Sequence, residues 1–305
     1  MMNRKPEVQL NPFIPYHFLH EQEPDSAGVV QEVNTIFLAS KTCAFSCIFC
    51  DLWKSTLEQS PPKGAFLHQM DYALKRLPDA QVVKLYNNGN FFDVKTLSPD
   101  DYPDICRRLN RYERVIVENH PLLCGPICLK FQQQLAGQLE VAMGLETIHP
   151  GVLPRLGKQF NKADFCRAAD FLLSHHIDVR VFVLLNPPYL TEPRESVYWT
   201  LESIRFAFAQ GATCCAVIPT RATTAEMQRL AQQGNYQIPT LDMLEDVVEK
   251  ALQDGYRRVF ADTWDIAFMA RCPHCFEARK QRLERMNLTQ RLEARIHCAY
   301  CQTHA

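Results

Sequence analysis

Thr35-Ile-Phe-Leu-Ala39, followed by Ser40-Lys-Thr-Cys43-Ala-Phe-Ser-Cys47-Ile-Phe-Cys50, is the stretch that decides the fold. Its first five residues are β-branched or apolar without a break, the pattern of a parallel strand buried on both faces. Cys43, Cys47 and Cys50 then fall on one loop at the carboxyl end of that strand, where parallel α/β folds place their active sites. Three thiolates, rather than four, would leave one iron of a 4Fe–4S cluster open to a small-molecule ligand, as catalytic metal sites keep one position free. A zinc site is the competing reading. The incomplete ligand set and its place after a strand favour catalysis.

Outward from this loop, short apolar runs alternate with helical patterns. Further strands are expected near Val82–Tyr86, Arg114–Glu118, Glu140–Leu145, Asp178–Leu185, Cys214–Ile218 and Arg257–Asp262. Between them Gln69–Leu77, Pro103–Arg111, Lys162–His175, Val197–Gln210 and Leu241–Asp254 carry apolar residues at three- and four-residue intervals. Repeated βα units imply a barrel, a partial barrel or an open doubly wound sheet. Residues 1–30, rich in Pro and Glu, read as an N-terminal arm. Residues 31–265 read as the core, and residues 266–305 as a separate small module with two Cys pairs.

The chain has 305 residues, 47% of them hydrophobic, enough for one large α/β domain with an appendage. A formal net charge of −1 gives no global attraction to nucleic acid or to an anionic membrane, so any polyanion site must be local. The N-terminus lacks the apolar run of a signal peptide and no transmembrane-length stretch follows, so a cytoplasmic, reducing location without membrane association is expected. Thirteen cysteines in that setting read as metal ligands and core residues rather than disulfides.

The ends of the later strands are polar. The second strand runs into Tyr86-Asn87-Asn88-Gly89-Asn90-Phe91-Phe92-Asp93, where Gly89 permits close backbone approach and the Asn side chains can accept from an ammonium group. The third ends in Glu118-Asn119-His120-Pro121 and the fourth in Gly144-Leu145-Glu146-Thr147, and carboxylates at such positions need a partner or a polar site. His149, Arg155 and Lys158 supply positive charge nearby. The fifth strand ends in Asn186-Pro187-Pro188-Tyr189-Leu190-Thr191-Glu192, a stiff, non-helical exit.

The C-x3-C-x2-C loop resembles the signature of the radical S-adenosylmethionine superfamily. The resemblance implies a partial (β/α)6 TIM-like barrel of that type. It also implies a 4Fe–4S cluster on Cys43, Cys47 and Cys50, with S-adenosylmethionine chelated to the open iron and cleaved to a 5′-deoxyadenosyl radical that abstracts hydrogen from substrate. Phe49 would pack near the adenine, and Asn88, Gly89 and Asn90 near the methionyl amino group. Glu118, Glu146 and Lys158 complete the expected cofactor contacts. Taken together, the strand-end motifs look like the branch with the elongator protein 3, MiaB and NifB type of core, most nearly the archaeosine-synthase radical subunits, which act on a modified guanine of tRNA. Where that group typically has Arg before the proline of the third motif and Lys before the paired prolines, this chain has His120 and Asn186.

Cys272-Pro-His-Cys275 and Cys298-Ala-Tyr-Cys301 can close a tetrahedral four-sulfur site, and structural Zn²⁺ or an auxiliary Fe–S cluster both suit thiolate ligands. His274 and His297 adjoin them. The intervening Arg279, Lys280, Arg282, Arg285, Arg291 and Arg295 form either a tRNA-backbone contact or a solvated helix face. Expected partners are a reductant protein such as flavodoxin or ferredoxin, and tRNA. A small metabolite or peptide is the alternative substrate, and a non-catalytic metal-binding scaffold is the alternative class.

Overall fold

The computed structural model describes residues 6–304; Met1–Lys5 and Ala305, which include the start of the expected arm, lie outside them. Among the described residues one sheet holds eight strands in strict chain order. They are β1 (His17–Pro24), β2 (Val30–Phe37), β3 (Val82–Tyr86), β4 (Arg114–Asn119), β5 (Gln138–Glu146), β6 (Asp178–Leu185), β7 (Cys214–Pro219) and β8 (Val259–Ala261). β1 runs antiparallel to β2, and every later neighbouring pair is parallel. Parallel neighbours in chain order need crossovers that return over one face of the sheet. These are made by α1 (Ala65–Leu74), α2 (Tyr102–Leu109), α3 (Pro126–Gln132), α4 (Lys162–Ser174), α5 (Pro193–Ala209), α6 (Ala225–Gln232) and α7 (Leu241–Gln253), and the sheet curls into a partial barrel. None of the described helices is long and apolar enough to cross a membrane.

Successive strand residues point to opposite faces, and both faces are buried. Ile36, Val83, Leu85, Val115, Val117, Val141, Val179 and Val181 pack outward in the main core with helix residues such as Phe66, Met70 and Ile105. Their neighbours Val33, Val82, Ile116 and Ala142, with Tyr86 and Phe182, form a second cluster inside the curl. The expected first strand therefore starts earlier, at Val30, and ends earlier, at Phe37. α4 begins with a capping box: Asn161 Oδ1 accepts from Asp164 N (3.1 Å) while Asp164 Oδ2 accepts from Asn161 N (2.8 Å).

Two expectations change. His17–Pro24, read as part of a surface arm, pairs along its whole length with β2. Its acidic composition hid the strand, because Glu21 and Glu23 lie two apart on the inner face and are paired there. Lys84 lies 3.0 Å from Glu21 and 2.6 Å from Glu23, and Arg180 also binds Glu23. Glu140 completes the layer, contacting Arg180 (2.6 Å), Arg114 (3.0 Å) and Arg258 (3.1 Å).

The C-terminal residues, expected as a separate module, are packed onto the barrel. α8 (Phe276–Thr289) lies against β1 and β8, the two edges of the sheet, and Leu283 and Met286 join the main core. Asn287 exchanges two 2.8 Å hydrogen bonds with the backbone of Ala261, and Gln290 bonds Val259 N (3.0 Å) and O (3.3 Å). Two side-chain amides thus stand in for the strand that β8 lacks. α9 (Ala299–His304) follows.

Burial alone would raise the Glu23 and Glu140 carboxyls, but Arg180 and Lys84 around Glu23, and Arg180, Arg258 and Arg114 around Glu140, hold both below the ordinary carboxylate range. The stability they contribute is present above the ordinary carboxylate pKa and is lost as pH falls through their depressed folded values. Glu140→Gln, which leaves three arginines without their shared partner, is expected to lower the unfolding free energy by about 3–5 kcal/mol in urea titrations. Its urea midpoint should also depend less on pH under acid conditions than that of the parent protein.

Candidate active site

The Cys43–Cys50 loop leaves the top of β2 and is stitched to three other strand ends. Ile48 N donates to Leu156 O (3.0 Å), in the segment after β5, and Thr224 Oγ1, after β7, donates to Ile48 O (2.7 Å). Gly157 has φ +74°, and a Cβ on it would lie 2.8 Å from the Ser46 carbonyl, so both conformation and space demand glycine there. On the β4 side, Phe45 stacks on His120 with ring centroids 3.6 Å apart and planes 8° apart. His120 Nδ1 accepts from Leu122 N (3.2 Å), which leaves Nε2 to donate to Lys158 O (2.9 Å). Burial, helped by the Lys158 charge, holds the ring down at about 4, so His120 is a neutral clamp at neutral pH.

Cys50 senses the other two thiols of the loop. Burial, then Cys47 and Cys43, push Cys50 up to about 12, and burial also raises Cys43 although Asn90 Nδ2 donates to its sulfur at 3.2 Å. A metal bound by these sulfurs would take them as thiolates and displace their protons. The Lys158 ammonium is buried, bound to Glu146 and held protonated by Glu146 against the cost of burial, with Cys47 and Cys50 adding to the effect. Gly144 makes room for this pair: a Cβ there would collide with both Lys158 Nζ and a Glu146 oxygen.

The turn after β3 is organised by Glu118. Its Oε1 accepts from Asn87 N (2.6 Å) and Gly89 N (3.4 Å), and burial pushes the carboxyl up to about 7 despite these donors. Asn88 (φ 53°) accepts from Tyr16 Oη at 2.7 Å and donates to Ser55 O at 2.9 Å, so its amide is occupied by protein. An added Cβ at Gly89 would meet nothing nearer than 3.7 Å, so the protein itself does not require glycine there. Asn87 was not singled out by sequence. It is fully buried, with both side-chain amide atoms unpartnered among the described residues, and it is the member of this turn with hydrogen bonds left to give. Phe49 bridges two apolar clusters, one of Val152, Leu156, Leu184 and Leu190 and one of Met227, Leu230 and Tyr236.

Cys43, Cys47, Cys50, Asn90, Glu118, Glu146 and Lys158 therefore converge, whereas two of the expected cations do not. His149 caps its own turn, accepting from Gly151 N (3.0 Å) and Val152 N (3.1 Å), and the Arg155 guanidinium lies 3.3 Å over the Tyr189 ring. The residues suit the group that the loop implies: three sulfurs, a hydrogen bond to one of them, a buried cation and an orphaned amide around one mouth.

In the C-terminal segment Cys272, Cys275, Cys298 and Cys301 form a compact group, and the His274 ring packs on Tyr300 with centroids 4.6 Å apart. The basic residues there are largely paired. Arg282, 1% exposed, binds Glu245 (3.1 Å) and Glu249 (2.6 Å); Arg279 binds Asp242 and Glu245, Arg295 binds Asp246 and Glu249, and Arg285 binds Glu293. Four of these arginines are ion-paired, three of them to α7; Arg282 is buried and Arg279 mostly buried in its pairs, while Arg285 and Arg295 are paired but stay on the solvated face.

Because Glu118 is raised, its contribution to stability is complete below its ordinary pKa and is lost as pH rises through the folded value. Glu118→Gln is expected to flatten the pH dependence of the thermal midpoint of metal-free protein between about pH 4.5 and about pH 7.

No protein-family model matches the chain. Archaeosine synthase subunit beta of Methanosarcina acetivorans is 23% identical over 239 residues, which is 73% of this chain and 68% of that protein. The protein of the same name from Thermococcus kodakarensis is 24% identical over 205 residues, 64% of this chain and 63% of its own length. Among solved structures, the archaeal Methanocaldococcus infernus Elp3 superposes with a TM-score of 0.54 at 14% identity, over 76% of this chain and 60% of that one. Coproporphyrinogen III oxidase of Escherichia coli, a radical SAM enzyme, gives 0.51 at 13%, over 77% and 54%. Spore photoproduct lyase with bound AdoMet gives 0.51 at 11%, over 73% and 74%. The chain therefore shares its fold with solved radical S-adenosylmethionine enzymes, and its three-cysteine loop lies past the second strand of that fold.

Proposed function

We propose that Cys43, Cys47 and Cys50 hold a 4Fe–4S cluster with one open iron, that the chain cleaves S-adenosylmethionine there, and that the substrate is a modified nucleoside of tRNA. The observation that carries the chemistry is the three-thiol loop pinned beside Asn90, Glu118 and Lys158. When bound, cluster and cofactor supply the reductive cleavage and the carbon radical that takes a substrate hydrogen. The chain's own residues orient and insulate. Asn90 donates to the Cys43 sulfur, and a hydrogen bond of this kind tunes cluster potential. Lys158, kept in place by Glu146, answers the cofactor carboxylate. Glu118, Asn87 and the Gly89–Asn90 backbone answer the amino group, with Asn88 shaping the turn, and Phe49 offers its face to the adenine. The electron comes from a flavodoxin- or ferredoxin-type donor.

The tRNA substrate rests on the likeness to proteins named as archaeosine synthase subunits. A second reading, a small metabolite or peptide, is favoured by the ion pairs that occupy Arg279, Arg282, Arg285 and Arg295. Gel shifts with bulk tRNA over a salt series separate the two. Binding that weakens steeply with salt supports the first, and no salt-dependent binding supports the second.

Anaerobically reconstituted protein given dithionite and S-adenosylmethionine is expected to form 5′-deoxyadenosine, and Cys47→Ala to form none. Absence of this product from wild-type protein with a full cluster would favour a metal-binding scaffold. Asn90→Ala, which removes the donor from Cys43, should shift the cluster midpoint to a more negative potential in EPR-monitored titrations.

A further inference from the structure

The two cysteine groups differ in a way that sequence spacing does not show. The sulfurs of Cys272, Cys275, Cys298 and Cys301 all lie within 4.8 Å of one another, with Cys272 to Cys298 at 3.9 Å and Cys275 to Cys301 at 3.8 Å. No other set of three or more His, Cys, Asp or Glu ligand atoms among the described residues is drawn together in this way. A tetrahedral ion with metal–sulfur bonds of about 2.3 Å holds its thiolates about 3.8 Å apart. An Fe–S cluster shares its cysteines among several irons, so ligands on different irons stand much farther apart than ligands on one ion.

We infer that the C-terminal group holds a single tetrahedral zinc ion and not an auxiliary Fe–S cluster. Four protein sulfurs leave no position for water or substrate, so the ion is structural. It ties the α9 segment to the start of α8: Cys272 and Cys275 lie just before α8, Cys298 immediately precedes α9, and Cys301 lies within α9. α8 in turn carries the Asn287 and Gln290 amides that cap β8. The ion therefore anchors the helix that covers the open side of the barrel.

The test is metal and sulfide analysis of the full chain after anaerobic reconstitution with iron, sulfide and zinc. Wild-type protein is expected to hold about one zinc beside the irons of its first cluster. The triple variant Cys43→Ala, Cys47→Ala, Cys50→Ala is expected to keep the zinc while losing all iron and sulfide. Iron at the C-terminal group of either protein, with or without sulfide, would overturn the inference, as would folded protein without zinc. If the triple variant does not fold, the wild-type zinc-to-iron ratio decides alone: zinc absent, or iron at twice the content of one 4Fe–4S cluster, overturns it. Cys298→Ser with Cys301→Ser should release zinc and speed amide exchange in α8 and β8, and unchanged exchange would overturn the anchoring role. None of these readouts depends on cleavage of S-adenosylmethionine.

Discussion

The site depends on how one loop is held. A cysteine loop that is to present three sulfurs to one cluster, as proposed, cannot be left to its own conformational freedom, because each unfixed residue costs about 1–2 kcal/mol of backbone entropy on ordering. Here that ordering is made in advance: the Ile48 backbone is bonded on one side by Leu156 and on the other by Thr224, Ser46 rests on Gly157, and Phe45 is stacked on a neutral histidine. These contacts come from the ends of β4, β5 and β7, so the loop is correct only when the barrel has closed around it. Fold and site are therefore one unit, and the residues that hold the loop are not its cysteines.

Charge is handled differently at the two ends of the barrel. At the lower end the acids Glu21, Glu23 and Glu140 are ion-paired with Lys84, Arg180 and Arg258 inside the curl, where removing one acid leaves desolvated cations short of a partner. At the upper end Glu146 and Lys158 make one buried pair, while Glu118 is raised toward neutrality and the Asn87 amide has no partner. Ion pairs hold the base, where Arg258 Nε is left without a hydrogen-bond partner among the described residues, and at the mouth it is a whole side-chain amide, that of Asn87, that lacks partners, as expected where a ligand is to supply the missing interactions.

The parallel strands were legible because each is a nearly continuous apolar run: the expected Val82–Tyr86 and Asp178–Leu185 coincide with the observed strands, four others differ by one or two residues at one or both ends, and the first is displaced, its start moving back to Val30. β1 was not legible. Its Glu21 and Glu23 look like surface acids until Lys84 and Arg180, more than sixty residues away, supply their counter-charges. Long-range pairing also hid the role of α8, since Arg282 reads as a phosphate contact unless Glu245 and Glu249 are known to face it. The cysteine loop, Asn90, Glu118 and Glu146 could be picked out because each stands at or just past a strand end, whereas Lys158, 12 residues beyond Glu146, was legible only as a nearby positive charge. His120 could be seen as a departure from the family pattern, but its use as a clamp on Phe45 could not. Asn87 sat inside a noted motif, and only its burial without partners distinguishes it from Asn88.

The central claim is that three protein sulfurs leave one iron for the cofactor. Mössbauer spectroscopy of protein reconstituted with ⁵⁷Fe tests it directly, because it resolves irons by their ligands. One iron of the cluster should carry a distinct signal that moves when S-adenosylmethionine is added, while the other irons stay unchanged. A spectrum in which all irons are equivalent and none responds to the cofactor would mean that a fourth protein ligand completes the cluster, and would contradict it.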